Sequence, residues 1–450
     1  MGVKCQDGDI RIHFPLGYHL GKCEKEIRRD ILLLFAVLAS FTKKRDSVLQ
    51  GQAKNYEEVD FPMQSYLYLI RDFLTRGYYR EREARYQVDG TGKIHWGRTI
   101  KTRKPYIQDL DVCYLDFVTR KSQDKEDELL TRIHEYCVYE SFQKVGWLFT
   151  ASMPAPPRIG KKDRVFKQVL RDKIAATYQD RNRQLFGHML AIMEYKGDPS
   201  SGQNYRYGTY RFEYVWEKMI DRAFGIPDKA EYFPRTWWSL KDGIHPNACL
   251  EPDTIMILEE KVLVLDAKYY KYGITGDPRD LPESASINKQ ITYGEYVAML
   301  SRQKDFPKKH GKDVEVYNAF LMPYDAVSEI WADRVEDIFP AAVHRILKEA
   351  GEEVQEDRYR CAGEERNLGM CCIGEAWSDW KDRTEAYMRI KGILIDMKAL
   401  MCLAVRREKD GSRRLAELIA AGGEPGSCEA DSLRTAMFTG KTEDGWGDIG

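Results

Sequence analysis

The sequence predicts a mixed α/β (α+β) protein: an N-terminal mixed domain, a larger second domain and a tail. Three observations carry that prediction. Helix-like runs are interleaved with short apolar segments of strand character. Two near-continuous apolar runs flank Glu259-Glu260, as strands buried on both faces would. A proline-rich joint, Met153-Pro154-Ala155-Pro156-Pro157, interrupts the chain, and proline blocks helix continuation and stiffens a linker. The expected division is 1–155, 156–405 and 406–450.

Taken in order, Glu24 to Thr42 and Met63 to Thr75 read as helices. Tyr78 to Glu83 and Lys93 to Trp96 flank the turn Asp89-Gly90-Thr91-Gly92 and read as strands. Gln108 to Phe117 alternates polar and apolar with period two, the pattern of a half-buried strand. Beyond the prolines, Arg158 to Arg183 holds nine Lys and Arg against three Asp at helical spacing. That run is either a solvated helix face or a stripe facing phosphates. A helix over Tyr207 to Ala223 follows, then the aromatic segment Tyr232 to Trp238, whose tryptophans are expected in and around the core. After the strand pair come a helix over Ile287 to Gln303, a strand over Val314 to Met322 and mainly helical chain to about 405. The last forty residues are glycine-rich with little apolar content and are expected to be a flexible tail.

The 450 residues are 43% hydrophobic and 31% charged, which excludes wholesale disorder and collagen-like or coiled-coil architectures. Lys and Arg number 70 against 71 Asp and Glu, so the chain lacks the overall basic footprint of a nucleic-acid coater. Any such contact must come from a local patch. The longest apolar run, Ile31 to Phe41, is far short of the ~20 residues a spanning helix needs, which argues against a membrane partner. The ten cysteines are scattered and contain no C-x-x-C, so they read as reduced thiols of a cytoplasmic protein and not as a zinc or disulfide framework. His134, His188, His245 and His344 lack metal-ligand spacing and read as structural or surface residues.

The chemistry concentrates in Leu250 to Lys268. A tight turn at Glu259-Glu260 would pair Leu258 with Lys261. Asp253 lies five residues before Leu258 and Asp266 five after Lys261, so the two fall opposite one another with side chains about 5 Å apart. Lys268 shares the face of Asp266. Two buried like charges this close repel, and a divalent cation removes that cost. A neighbouring lysine can orient the attacking water or stabilise charge developing on phosphate. The D/E-x-K triplet alone is unspecific, since Glu194-Tyr195-Lys196, Asp379-Trp380-Lys381 and Asp396-Met397-Lys398 also match. The upstream Pro252-Asp253, the apolar hairpin and the register single out Asp266-Ala267-Lys268. The plain alternative is an ordinary hairpin with charges at its open end.

Pro252-Asp253 followed by Asp266-Ala267-Lys268 resembles the motif of PD-(D/E)XK nucleases. That resemblance implies a mixed sheet flanked by helices in αβββαβ order, and Mg²⁺-dependent DNA cleavage with Mn²⁺ as an alternative ion. Phe212 to Glu217 looks like the helix that donates a further metal-binding glutamate, matched to Glu213 with Glu217 as its rival one turn on. Lys289-Gln290-Ile291-Thr292-Tyr293 looks like the helix after the third strand, whose glutamine, here Gln290, lies near the site. One departure is Gly294, where relatives with a Gln-x-x-x-Tyr helix carry tyrosine; Tyr293 and Tyr296 stand beside it.

Gly77-Tyr78-Tyr79, Gly92 to Ile100 and Tyr387 to Leu400 are similar to LlaJI-type restriction endonucleases, relatives of the McrC nuclease subunit. The resemblance covers roughly 60 to 405 and implies DNA and a McrB-like AAA+ GTPase subunit as partners; it leaves dimerisation of the nuclease on DNA open. Gly440-Lys441-Thr442 falls short of a P-loop, because Thr435 occupies the position of the first glycine. The expected function is therefore Mg²⁺-dependent endonucleolytic cleavage within a restriction or anti-phage complex. The alternatives are a repair or recombination nuclease acting on ends, and a non-catalytic adaptor that stimulates a partner GTPase.

Overall fold

The computed structural model describes residues 1–41, 61–108, 111–124, 129–160, 162–195, 204–303, 314–328, 330, 368–381, 383–407 and 411–421. It divides into two compact units. One comprises 3–12 and 54–208; the other comprises 1–2, 13–53 and 209–450.

The first strands, β1 (Gly2–Gln6) and β2 (Asp9–His13), begin a sheet that a later strand completes. Helix α1 (Glu24–Phe41) buries Ile31, Leu34, Phe35, Leu38 and Phe41, an i, i+3, i+4, i+7 stripe. Helix α2 (Met63–Arg76) ends at Gly77, whose φ of 74° suits a residue without Cβ. Strands β3 (Arg82–Val88) and β4 (Lys93–Ile94) flank the glycine-containing turn and pair on either side of β7 (Val118–Asp124). Between them lie α3 (Trp96–Thr102) and a two-stranded hairpin of β5 (Tyr106–Gln108) and β6 (Asp111–Cys113). The single half-buried strand expected over 108–117 is thus a short hairpin, with Ile107 and Val112 exposed. Strand β6 is exposed along its whole length, so the half-burial expected from the alternation is absent.

Helices α4 (Leu129–Val145), α5 (Asp163–Ala176) and α6 (Asp180–Glu194) complete this unit, with strand β8 (Tyr205–Gly208) joining β1. The boundary expected near 155 falls inside the unit, because α4, before the prolines, and α5 and α6, after them, pack together and α2 packs on α4 and α6. The chain crosses between the units at 208–209 instead. The basic run forms two helices, broken at Thr177 to Gln179. Three of its cations are committed to ion pairs: Arg171 with Glu194, Lys173 with Glu81, and Arg181 with the buried Asp72. Arg158, Lys162 and Arg164 are exposed, and Lys161 lies outside the described residues.

In the other unit, α7 (Phe212–Phe224) leads to an isolated ribbon of β9 (Trp237–Leu240) and β10 (Gly243–Pro246), then to β11 (Thr254–Leu258) and β12 (Lys261–Ala267). A short α8 (Tyr272–Thr275) and the long α9 (Ser284–Ser301) precede β13 (Glu315–Tyr324). Strands β14 (Met370–Ala376) and β15 (Ile390–Asp396) and helices α10 (Met397–Arg406) and α11 (Ser412–Ala420) follow. The five-stranded sheet has the order β11-β12-β13-β15-β14, with parallel central pairs and antiparallel edges. The expected mixed sheet flanked by helices is present. Its leading elements run αββαβ, because β9 and β10 stand apart from the sheet.

Two expectations for the C-terminal region change. Residues 370–376 and 390–396 are strands, not helical chain. Part of the expected tail is helical, since α11 buries Leu415, Ala416 and Ile419; residues 408–410 and 422–450 lie outside the described residues. Trp237 and Trp238 are exposed, not core. Among the described residues no helix is long and apolar enough to cross a membrane, and none of the eight described cysteines forms a disulfide.

Helix α9 seats against β13 through Gly294. A Cβ there would collide with the Asn318 side-chain amide and come within 2.9 Å of Tyr387 Cβ. Asn318 is buried and uses that amide to donate to the carbonyls of Gln290 (3.0 Å) and Tyr387 (2.6 Å). The departure from a Gln-x-x-x-Tyr helix therefore has a packing cause. Gly294→Ala should destabilise this unit by roughly 1–3 kcal/mol, the usual cost of overpacking. Urea unfolding followed by tryptophan fluorescence checks this, and an unchanged midpoint would show that the seat is loose.

Candidate functional site

The hairpin forms in the register that the sequence dictates. Leu258 pairs with Lys261 and the ladder runs back to Thr254 opposite Leu265. Glu259 takes φ 53° to make the turn. Ile255, Met256 and Val262 to Leu265 are buried, so a slip of one residue would turn apolar side chains away from the core. At the open end, Asp253 and Asp266 come within hydrogen-bonding reach of each other. Asp253 Oδ2 also accepts from the backbone N–H of Ala267 at 2.8 Å. Lys268 Nζ sits 2.7 Å from Asp266 Oδ2, and both side chains are largely buried.

Burial pushes the Asp253 carboxyl well up from its ordinary range, and the neighbouring Asp266 and Glu217 push the same way. The Ala267 N–H opposes them. This is the electrostatics of two acids compressed into one site, where one proton or one cation relieves the repulsion. Lys229 anchors the segment from behind: its ammonium bridges the backbone carbonyl of Asp253 and Asp221 Oδ1, the latter at 2.7 Å.

Helix α7 faces the hairpin. Its Trp216 indole donates to the Leu321 carbonyl at 3.2 Å, and the Lys268 backbone N–H donates to that same oxygen at 2.8 Å. The helix and the Lys268 backbone are thereby fixed to one point of β13. Of its two glutamates, Glu217 is the one that interacts with both aspartates, and burial followed by Asp266 and Glu213 raises its carboxyl. Glu213 interacts with Glu217, Tyr269 and the N-terminal amine.

Helix α9 separates its two candidate positions. Gln290 is fully buried, with Nε2 donating to the Val264 carbonyl (2.7 Å) and to Asn318 Oδ1 (3.3 Å). Those described contacts pin the helix to β12 and β13, and none is to a site carboxylate. Lys289, the preceding residue, is exposed, lies over the Tyr293 ring and feels the charge of both aspartates. Burial works against its ammonium, but Tyr293, Asp266 and Asp253 outweigh that and raise it. The Tyr293 hydroxyl in turn donates to the carbonyl of Glu251 at 3.2 Å, holding the segment just before Asp253. In the sequence Lys289 stands beside Gln290 with little to mark it. The i, i+4 spacing to Tyr293 was its only signal.

Among the described residues no three His, Cys, Asp or Glu side chains already form a cation cluster. Two opposed aspartates with a third carboxylate nearby nonetheless fit Mg²⁺, which takes one or two carboxylates and fills its shell with water and phosphate oxygens. The described histidines serve elsewhere. His134 accepts from Tyr79 N–H at 2.8 Å, His188 meets Ser65 at 3.1 Å, and His245 pairs with Asp242 at 3.0 Å. His344 lies outside the described residues.

The raised Asp253 carboxyl makes a prediction about metal-free stability. An unfolded aspartate ionises near pH 3.9, whereas folded Asp253 keeps its proton to higher pH. Between those two values the folded state binds more protons than the unfolded one, so stability falls as pH rises. Asp253→Asn should therefore be as stable as the parent near pH 4 and more stable at pH 8, in chelator. Thermal midpoints across that range decide it; a variant that loses ground as pH rises would contradict the shift.

Residues 15–340 match the family model described as LlaJI restriction endonuclease, a span that holds α7, the carboxylate hairpin and α9. A curated relative is the "Type II restriction enzyme BsuMI component YdjA" of Bacillus subtilis (strain 168), 28% identical over 265 residues. That match takes in 55% of this chain and 55% of the relative, so the chain spans about half the relative's length. A solved structure, "Refined half-complex from tetradecameric assembly of Thermococcus gammatolerans McrB AAA+ hexamers with bound McrC", is 14% identical with a TM-score of 0.33. It covers 92% of this chain and 82% of that one. With the match extending over most of its length, the chain belongs to the LlaJI restriction endonuclease family.

Proposed function

We propose that this chain is the nuclease subunit of a restriction system, hydrolysing DNA phosphodiester bonds endonucleolytically with Mg²⁺ or Mn²⁺. The observation that carries the reading is the pairing of Asp253 with Asp266 at the end of a buried hairpin, with Lys268 beside them. An apolar sheet gains nothing from two compressed carboxylates unless their charge is used. Family membership supports the restriction context. The curated relative is named as one component of a restriction enzyme, which agrees with a chain that works alongside others.

Asp253, Asp266 and Glu217 are the residues that would hold the ion, with Glu213 the outer alternative. The ion would supply Lewis-acid polarisation of the scissile phosphate and a more acidic water. Asp266 orients Lys268 through their ion pair, leaving the lysine's remaining protons for water or a phosphate oxygen. Lys289 adds a second positive charge close to the carboxylates, where the negative scissile phosphate must dock. Gln290 serves as the pin that holds α9, and so Lys289, in place. The sequence resemblance to McrC-type subunits extends the proposal to a partner AAA+ GTPase that moves or remodels the DNA.

The test is cleavage of covalently closed plasmid by the purified chain with its partner subunits, GTP and Mg²⁺. Asp253→Ala and Asp266→Ala should fall to background while remaining folded, and Lys268→Ala should lose on the order of a hundredfold or more. Glu217→Gln should raise the Mg²⁺ concentration needed for half-maximal cleavage more than Glu213→Gln does. Full activity in either aspartate variant would remove the assignment. Activity confined to linear ends would turn it into an end-acting nuclease.

A further inference from the structure

Helix α7 carries three acids at four-residue spacing, Glu213, Glu217 and Asp221. Residues four apart lie on one face of a helix, about 6 Å from one another along its axis. A contact that fixes Asp221 therefore fixes the height of both glutamates. Asp221 Oδ1 pairs with the Lys229 ammonium at 2.7 Å and accepts from the Thr254 hydroxyl at 3.3 Å. Lys229 also donates to the backbone carbonyl of Asp253. Gly225, at the end of α7, leaves room for this: a Cβ there would stand 2.5 Å from the Asp221 carbonyl oxygen and from its Oδ1.

The lysine is firmly placed. Its turn, Lys229–Tyr232, is seated by Tyr232, which lies in one apolar cluster with Ile255, Val264 and Tyr293. Asp253 depends on such an anchor, because it stands one residue before the last rung of the ladder, Thr254 with Leu265, and strand pairing does not include it. Through Lys229 its peptide is tied to Asp221, one helical turn from Glu217 and two from Glu213. Glu217 is thus the glutamate set nearer to that tie, and its charge acts on the Asp253 carboxyl.

We propose, resting on the nuclease reading above, that Lys229 and Asp221 are positioning residues that set the height of α7 against Asp253 and thereby select Glu217 over Glu213 as the third carboxylate for the divalent cation. The chemistry of the pair suits that role. An ammonium alone behind Asp253 would oppose a cation in front of it. With Asp221 on its other side the pair is neutral, so it orients the carboxylates without adding net charge to a site that has to take up a cation. Two further ties hold α7 at other heights, Trp216 to the Leu321 carbonyl and, just past the helix, Ile226 N–H to the Ile255 carbonyl at 3.0 Å. Those join the helix to β13 and β11, whereas Lys229 joins it to the candidate ligand's own peptide.

The experiment titrates the full-length chain with Mn²⁺ alone, without DNA, by calorimetry, so that it reads binding and not turnover. Lys229→Met combined with Asp221→Asn removes the tie and keeps the pair neutral, so a loss is positional and not electrostatic. That double variant should bind Mn²⁺ roughly ten- to a hundredfold more weakly, the usual loss when an outer partner of a metal ligand is removed. The Mg²⁺ midpoint of plasmid cleavage should move the same way. Lys229→Arg should retain most of the affinity. Glu217→Gln should cost the parent more than it costs the double variant, because the tie acts through that carboxylate. The gap between Glu217→Gln and Glu213→Gln should narrow in the double variant for the same reason. Thermal midpoints in chelator check folding, and the isosteric Asp221→Asn alone decides the matter if the double variant does not fold. Parent-like Mn²⁺ affinity in the folded variant would overturn the positioning role and leave the nuclease reading intact. Equal losses from Glu217→Gln in both backgrounds would do the same. A parent chain that neither binds Mn²⁺ nor cuts DNA would overturn both.

Discussion

The repulsion between Asp253 and Asp266 is the constraint around which this unit is organised. Left alone, two carboxylates at the mouth of an apolar sheet would separate or draw in protons. The surrounding chain prevents separation. The turn at Glu259 and the buried rungs from Thr254 to Leu265 fix the register, and the Ala267 N–H holds Asp253 across it. Lys229 secures the Asp253 carbonyl from behind, and Tyr293 secures that of Glu251. Four groups from four places along the chain thus hold one short segment against an unfavourable field. Lys268 offsets part of that field through Asp266, and Asp253 bears the remainder as a raised proton affinity.

The same economy appears in how the helices are attached. The carbonyl of Leu321 accepts from both the Trp216 indole and the Lys268 backbone, so one oxygen sets the distance between α7 and the lysine. On the other side, Gly294 lets α9 approach β13 closely enough for Asn318 to bridge Gln290 and Tyr387. That approach sets Lys289 within the field of the carboxylates. A bulkier residue at 294 would push the helix, and with it the second cation, away from the strand.

Much of the carboxylate pair was legible because hairpin register follows from counting once the turn is identified. Asp253, Asp266 and Lys268 needed only the apolar runs on either side of Glu259-Glu260. The choice between Glu213 and Glu217 was not legible, since the two lie one turn apart on the same face of α7 and only the height of that helix against β12 separates them. Gln290 and Lys289 show a second limit: adjacent helical residues lie about 100° apart, and the motif pointed to the one that turned inward to the sheet. The domain boundary failed for another reason. Prolines 154, 156 and 157 do stiffen a loop, but the helices on either side of them bury apolar stripes against one another, and packing decides a boundary where composition only suggests one. The exposure of Trp237 and Trp238 was not legible, because aromatic content says nothing about whether a strand pair has a sheet to join.

Helix α11 has a practical consequence for handling the protein. It lies beyond the glycine at 411, in a stretch whose composition invites trimming, yet Leu415, Ala416 and Ile419 pack on the sheet through β11, β13 and β14. The first of those strands leads directly from Asp253. An expression boundary placed at 407 would strip an apolar cover from the strand that positions the metal-binding candidate, and expose a sticky surface on the same body. Shortened versions for crystallisation, and any affinity handle at that end, belong after residue 421.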